Sequence, residues 1–387
     1  MTSRTRLWVL AVSTPVIAFA LIGGLLGKVI ARDEIYQNLR VFHDVVGLVV
    51  DSYVEEVDIL KAMRGALRGL TDGLDPDSAF LTPDLVKAFQ SSSPLGPADP
   101  GLDIRRQYYL LVVSVRPGSP AARAGLRTGD YVRAIDNRPT RDMSAFEGLR
   151  LLHGAPGTSV NLLIIRGNAA DPHPLTLTRE RPGDPGITSR MAGGTTGYVR
   201  VTAFTTETGA QIRQAIAALT KTGATAHVID LRGASRGDLD AGVAAARLFV
   251  RTGALAITQS KGQEQTVSAR SGDGAITAPV ALLVDRGTAG PGEVFAAALD
   301  GNGRADLIGE QTLGRAARQQ LTRLPDGSGL LLTTQRYLGP TKVDIHEKGL
   351  VPDVEVGQPE VEFGTDAPAT DRMLERAIQH LAQERAA

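Results

Sequence analysis

The stretches His227-Val-Ile-Asp-Leu-Arg-Gly233 and Pro279-Val-Ala-Leu-Leu-Val-Asp285 decide the fold. Each is a short apolar run that ends in a charged or glycine turn, the pattern of a strand covered on both faces. Each also leads into a helical stretch, 241–250 after the first and 293–299 after the second. Upstream, Gly197-Tyr-Val-Arg-Val-Thr-Ala-Phe204 alternates as a strand does, and a helix is predicted through Gln211 to Leu219. Strands alternating with helices of about ten residues define an α/β core, assigned here to residues 187–358.

Before this core the pattern changes. Tyr108–Val115, Tyr131–Asp136 and Ser159–Arg166 are short β-rich runs, separated by PGSPAARAGLRTGD (117–130) and a helical SAFEGLRLLHG (144–154). In this order, and at Gly118-Ser119-Pro120-Ala121, Ala124-Gly125-Leu126 and Gly129-Asp130, the segment resembles a PDZ domain, with bounds of 97–183. Such domains take the last residues of a peptide as an added strand, and the amides of a glycine-containing loop receive its terminal carboxylate. The matching loop is Gly101-Leu102-Asp103-Ile104. Leu102, Ile104 and the helix from Ser144 to His153 are expected to line the groove. Asp103 replaces a small residue and sets a like charge beside any captured carboxylate. A PDZ kept only as a spacer is the alternative.

At the other end, Leu7 to Gly27 holds no charged residue. As a helix it would be about 32 Å long, against a hydrocarbon core of about 30 Å. Residues 1–30 are therefore read as a single membrane anchor. Arg4 and Arg6 favour a cytoplasmic N-terminus and a translocated remainder. This places the protein at the inner membrane, with its bulk in the periplasm or another extracytoplasmic space. A cleaved signal peptide is the alternative, although no small-x-small site follows the apolar run. Residues 33–90 read as helical: apolar positions 35, 39, 42, 46, 49 and 53 share a face, a second helix covers Ile59 to Leu70, and LDPDSAFLTP (74–83) is a turn followed by a further helix start. SSSPLGPADPG (91–101) is a linker.

Composition excludes several functions. Lys+Arg and Asp+Glu both number 42, so no charge excess draws the chain to nucleic acid. With no cysteine there is no thiolate nucleophile and no Cys-ligated metal. The histidines at 43, 153, 173, 227, 346 and 380 form no HExxH-type pair, and no phosphate-cradling glycine loop is present. Neither a cofactor nor a metal is expected. His227, inside a strand, is read as a packed side chain.

Taken with YVEEVD, LDPDSAFL, VIDLRG, GEQTLGR, LPDGSGLLLTTQRY and KGLVPDVEV, these segments resemble the C-terminal processing peptidases, or tail-specific proteases. The resemblance implies a crotonase-like (Clp-protease-like) α/β core with an inserted PDZ domain. It also implies a Ser nucleophile, a Lys base and a Gln that orients the Lys. Carried over, it sets Gly290 at the serine, Arg315 at the lysine and Gln319 at the glutamine. The oxyanion turn becomes Ala234-Ser235-Arg236-Gly237, with Arg236 on a glycine position. Glycine has no attacking atom, and a guanidinium accepts no proton near neutral pH. The chain is thus expected to be a pseudopeptidase that binds peptide tails or an active relative without cleaving. The alternative is an active serine-type endopeptidase with a non-standard nucleophile, Thr288 or Ser235; Thr288 is otherwise expected to cap a helix. If the core is intact, Gly290→Ser with Arg315→Lys is expected to recover slight hydrolysis. The resemblance further implies homo-oligomer contacts through the N-terminal helices and the final helix, Thr370 to Ala382, within the C-terminal segment 359–387. That helix stripe is equally explained by packing on its own core.

Overall fold

The structure is a computed structural model, described here for residues 36–167, 171–183, 187–358, 363 and 370–384. The anchor predicted at Leu7–Gly27 lies outside the described residues. Among the described residues no helix is long and apolar enough to cross a membrane.

The chain divides into two compact units, 1–67 and 68–387. In the first, residues 36–52 are helical, as the apolar spacing predicts, yet Leu39, Phe42, Val49 and Tyr53 stay exposed. The second unit carries two cores. The larger is built on a six-stranded sheet in the order Val354–Glu355, Ala305–Gly309, Val280–Val284, Ala226–Asp230, Thr196–Arg200 and Thr188–Gly193. All its pairings are parallel except the last. Parallel strands need crossover connections, and helices supply most of them here.

Alternation along the strands sorts side chains to two faces. Val199, Ile229, Leu282 and Leu307 pack against the helices Thr208–Lys221, Leu239–Ala246 and Pro291–Asp300. Tyr198, Val228, Leu283 and Ile308 pack against the C-terminal helix Arg372–Glu384. That helix buries Met373, Leu374, Ala377 and Leu381 on its own sheet, so the apolar stripe is used within the chain. His227 is fully buried, with no hydrogen-bond partner for either ring nitrogen among the described residues. Burial, then the nearby Arg304 cation, holds its pKa below the ordinary imidazole value.

A second sheet flanks this core. Gly329–Leu338 is its long central strand, antiparallel to Ala79–Leu81, Ala254–Ser260 and Ala317–Arg323. The pairing of Ala79–Leu81 corrects the sequence reading, which passed from a turn directly to a helix start. Three residues are too few for periodicity to register, and it is the docking on Gly329–Leu331 that makes them a strand. The helix start itself is present as Pro83–Phe89.

The smaller core belongs to the middle module. Its sheet runs Leu102–Gln107, Tyr109–Val115, Tyr131–Ile135, Ser159–Ile165 and His173–Thr178, with Arg138–Pro139 beside the third strand. The helix Ala145–Leu152 packs on the first strand. Leu102, Ile104, Leu110, Val132, Val160 and Ile164 fill the interior.

Candidate active site

The strand Val280–Val284 leaves the sheet through Asp285-Arg286-Gly287-Thr288-Ala289 and turns into the helix Pro291–Asp300 at Gly290. Gly290 has φ +55° and ψ −118°, a conformation that a side chain tolerates only at a cost of about 1–3 kcal/mol. Strand-to-helix hydrolase turns hold their nucleophile on a strained elbow of this kind. A Cβ built on Gly290 would lie 3.5 Å from Ser235 O and 3.8 Å from Arg315 O, at ordinary contact distance. There is room for a side chain; what the position lacks is an oxygen.

The next residue is a second departure, one that sequence reasoning missed. Pro291 occupies the first helical position, where its fixed φ suits the turn. Elbow sites draw one oxyanion donor from the amide after the nucleophile, and proline has none. The Gly-Pro-Gly-Glu pattern carried this signal.

Glu293 braces the elbow from within. It is fully buried, and its carboxylate accepts from Gly290 N (3.0 Å), Arg315 N (2.8 Å), Gly314 N (2.5 Å) and Thr312 Oγ1 (2.5 Å). Burial pushes its pKa up against these four donors. It therefore joins the helix start to the segment that carries Arg315, a structural task consistent with its place in the first turn.

Arg315 points to two carboxylates. Its Nη1 is 3.3 Å and 3.4 Å from the oxygens of Asp103, and its Nε is 3.4 Å from Asp77 Oδ1. Burial works against the cation, but Asp103 and Asp77 outweigh it and hold its pKa above the ordinary arginine value. The charge is permanent in any working pH range. Gln319 makes its side-chain hydrogen bond to Thr333 Oγ1, 3.2 Å away on the neighbouring strand.

The turn 234–237 faces the middle module. Ser235 Oγ donates to Asp103 Oδ2 at 2.5 Å and lies 2.7 Å from Ser114 Oγ. Arg236 donates from Nη2 to Leu102 O at 2.8 Å, and its Nη1 is 3.9 Å from Asp99. Gly237 pairs in parallel with Phe204, and at φ +116° its Cβ would fall 1.9 Å from Phe204 O, so only glycine fits.

Gly101, Leu102, Asp103 and Ile104 are all buried. Leu102 and Ile104, expected to line an open groove, point into the module's core at 1% and 0% exposure. Alternation along the strand sends them inward and Asp103 outward, toward the cleft. Two of the loop's amides are held internally: the Asp99 carboxylate accepts from Gly101 N, and Asp103 Oδ1 accepts from Ile104 N at 3.0 Å.

Thr288 is not the helix cap; Gly290 holds that place. Thr288 Oγ1 is fully buried, donates to Leu231 O at 2.9 Å and accepts from Asp285 N at 3.0 Å. It fastens the turn to the strand before it. Asp285, whose pKa burial pushes up, accepts from Gly233 N and Gly287 N, each at 3.0 Å.

Comparisons with known proteins identify both modules. Peptidase family S41 matches residues 195–356, and a PDZ domain matches residues 111–166. The chain is similar to a carboxyl-terminal-processing protease of Synechocystis sp., 32% identical over 70% of this chain and 65% of the relative's length. A Picosynechococcus sp. protease of the same name is 31% identical over 83% of this chain and 79% of that one. Among solved structures, the photosystem II D1 C-terminal processing protease superposes with a TM-score of 0.66 at 31% identity, covering 79% of this chain and 84% of that one.

Proposed function

Because the chain belongs to peptidase family S41, among the carboxyl-terminal processing proteases, we propose that it is a pseudopeptidase of that family, one that binds protein tails or an active relative and does not cut them. The observation that carries this reading is the elbow itself. Gly290 offers no nucleophile, Pro291 offers no oxyanion amide, and Arg315 is a cation locked to Asp103 and Asp77. In comparable sites loss of the nucleophile alone costs about 10⁶ in rate, or about 8 kcal/mol.

An active enzyme working through Ser235 or Thr288 gains no support from their surroundings. Thr288 is spent on backbone contacts inside the turn. Ser235 is tied to Asp103 and Ser114, and the basic side chain beyond Asp103 is the arginine at 315. The proposal retains the anchor at Leu7–Gly27, an extracytoplasmic site of action, and assembly as a homo-oligomer or with an active relative.

The test uses the full chain in detergent with casein as substrate. Native protein is expected to cleave no faster than buffer, and Gly290→Ser/Pro291→Ala/Arg315→Lys is expected to exceed the Gly290→Ser/Arg315→Lys pair by about 10²-fold, the contribution of one oxyanion donor. Native cleavage abolished by Ser235→Ala or Thr288→Ala would overturn the reading. Carbonate-resistant membrane association, lost when residues 1–30 are deleted, is the matching expectation for the anchor.

A further inference from the structure

Next to Arg315, whose Nε lies 3.4 Å from Asp77 Oδ1, two loops bring together Asp75, Asp77 and His346. One ligand-capable atom from each lies within 4.8 Å of the other two. The three come from opposite ends of the second unit, so no spacing in the sequence marks them as a set.

His346 is only 7% exposed, and neither ring nitrogen has a hydrogen-bond partner among the described residues. Asp77 Oδ2 is buried without a hydrogen bond as well; Arg105 Nη2 stands 3.3 Å from it. Leaving a buried polar group unmatched costs about 1–3 kcal/mol each, which calls for something that can satisfy an imidazole nitrogen and a carboxylate oxygen together.

The frame around these groups is well held. Asp75 accepts from Asp77 N (2.9 Å), Ser78 N (2.8 Å) and Ser78 Oγ (2.7 Å), which fixes the turn that presents both carboxylates. Burial works against the Asp75 anion, but these hydrogen bonds outweigh it and keep its pKa below the ordinary value. On the other loop, Glu347 N donates to Gly314 O and Gly349 N to Ile345 O, both at 2.8 Å, which fixes His346 next to the Arg315 segment.

We propose that Asp75, Asp77 and His346 form a binding site for one divalent transition-metal ion of the zinc class, with its remaining positions open to water. The donor set of two carboxylates and one imidazole suits such ions. The guanidiniums of Arg105 and Arg315 beside Asp77 weigh against a cation held by charge alone, such as calcium. A transition ion bonds to imidazole nitrogen strongly enough to tolerate them. Bound there, the ion would clamp the 75–78 turn to the 345–349 loop and so fix Asp77 against Arg315.

The full chain, purified in detergent and stripped with chelator, is titrated with Zn²⁺, with bound metal quantified after dialysis. Expected are one equivalent per chain and at least tenfold weaker binding in both His346→Gln and Asp77→Asn, the range seen when a metal site loses a supporting group. Absence of saturable one-equivalent binding, or equal affinity in His346→Gln, overturns the site and leaves ordinary water as what satisfies these groups. Should His346→Gln fail to fold, Co²⁺ added to the native chain decides: a visible d–d band of a low-coordinate nitrogen/oxygen site supports the proposal, and a spectrum unchanged from cobalt in buffer overturns it.

Discussion

Asp300 is the last residue of the helix Pro291–Asp300 that Gly290 caps. Burial first, then the negative charges of Asp353 and Asp306, push its pKa up to about 6. A carboxylate at a helix C-terminus also opposes the dipole. The sign follows from linkage: a raised folded pKa means that the native state holds the proton more tightly, so stability present at pH below about 4 is lost as pH rises through about 6. Asp300→Asn is therefore expected to stabilise the protein by about 1–2 kcal/mol at pH 7.5 and to change little at pH 4. Urea unfolding at both pH values checks this; equal effects at the two would place the gain outside titration. His227 gives the opposite slope, because its depressed pKa removes stability as pH falls below about 6.5.

Among the elements, the C-terminal helix shows how a short charged network settles placement. Asp230 is fully buried and accepts from Tyr198 Oη (2.6 Å), Arg200 Nη1 (3.1 Å) and Arg232 Nη2 (2.6 Å). Burial works against its anion, yet these partners hold its pKa below the ordinary value. Arg232 then reaches Asp371 at 2.9 and 2.7 Å, and Asp371 Oδ1 accepts from Leu374 N at 3.1 Å, within the first turn of Arg372–Glu384. One side chain thus caps the helix and ties it to the strand end. Asp371 is 40% exposed, so the ion pair itself adds little and the cap should dominate. Asp371→Ala is expected to cost about 1 kcal/mol in urea unfolding, with most of it recovered in Asp371→Asn, which keeps the capping oxygen. An equal loss in both would assign the effect to charge. The stripe at 373, 374, 377, 378 and 381 was readable from helical spacing, because that signal is local. The strand Ala79–Leu81 was not, because its identity depends on Gly329–Leu331 across the fold.

For the whole molecule, the consequential contact joins the PDZ loop to the cleft of the core. Asp103 links Ser235, Arg315 and the amide of Ile104, and Arg236 holds Leu102 O. Tail binding through this loop would require a peptide carboxylate to replace Asp103. Asp103→Gly is accordingly expected to raise affinity for free-carboxylate peptides at least tenfold over the native chain while leaving amidated peptides unchanged. Titration of both peptide forms against both proteins checks it, and a parallel rise for amidated peptides would show that the space the side chain fills, not carboxylate capture, limits binding. Residue types and local patterns sufficed to read the parallel α/β core, the PDZ module, and the absence of a hydroxyl and a neutral amine at 290 and 315, since these properties belong to single side chains or to periodicities of two and 3.6. Folding alone decided that Asp103 meets Ser235 and Arg315 and that His346 joins Asp75 and Asp77. Such meetings depend on which distant segments pack together, and packing is a property of the assembled core that no stretch of chain carries within itself.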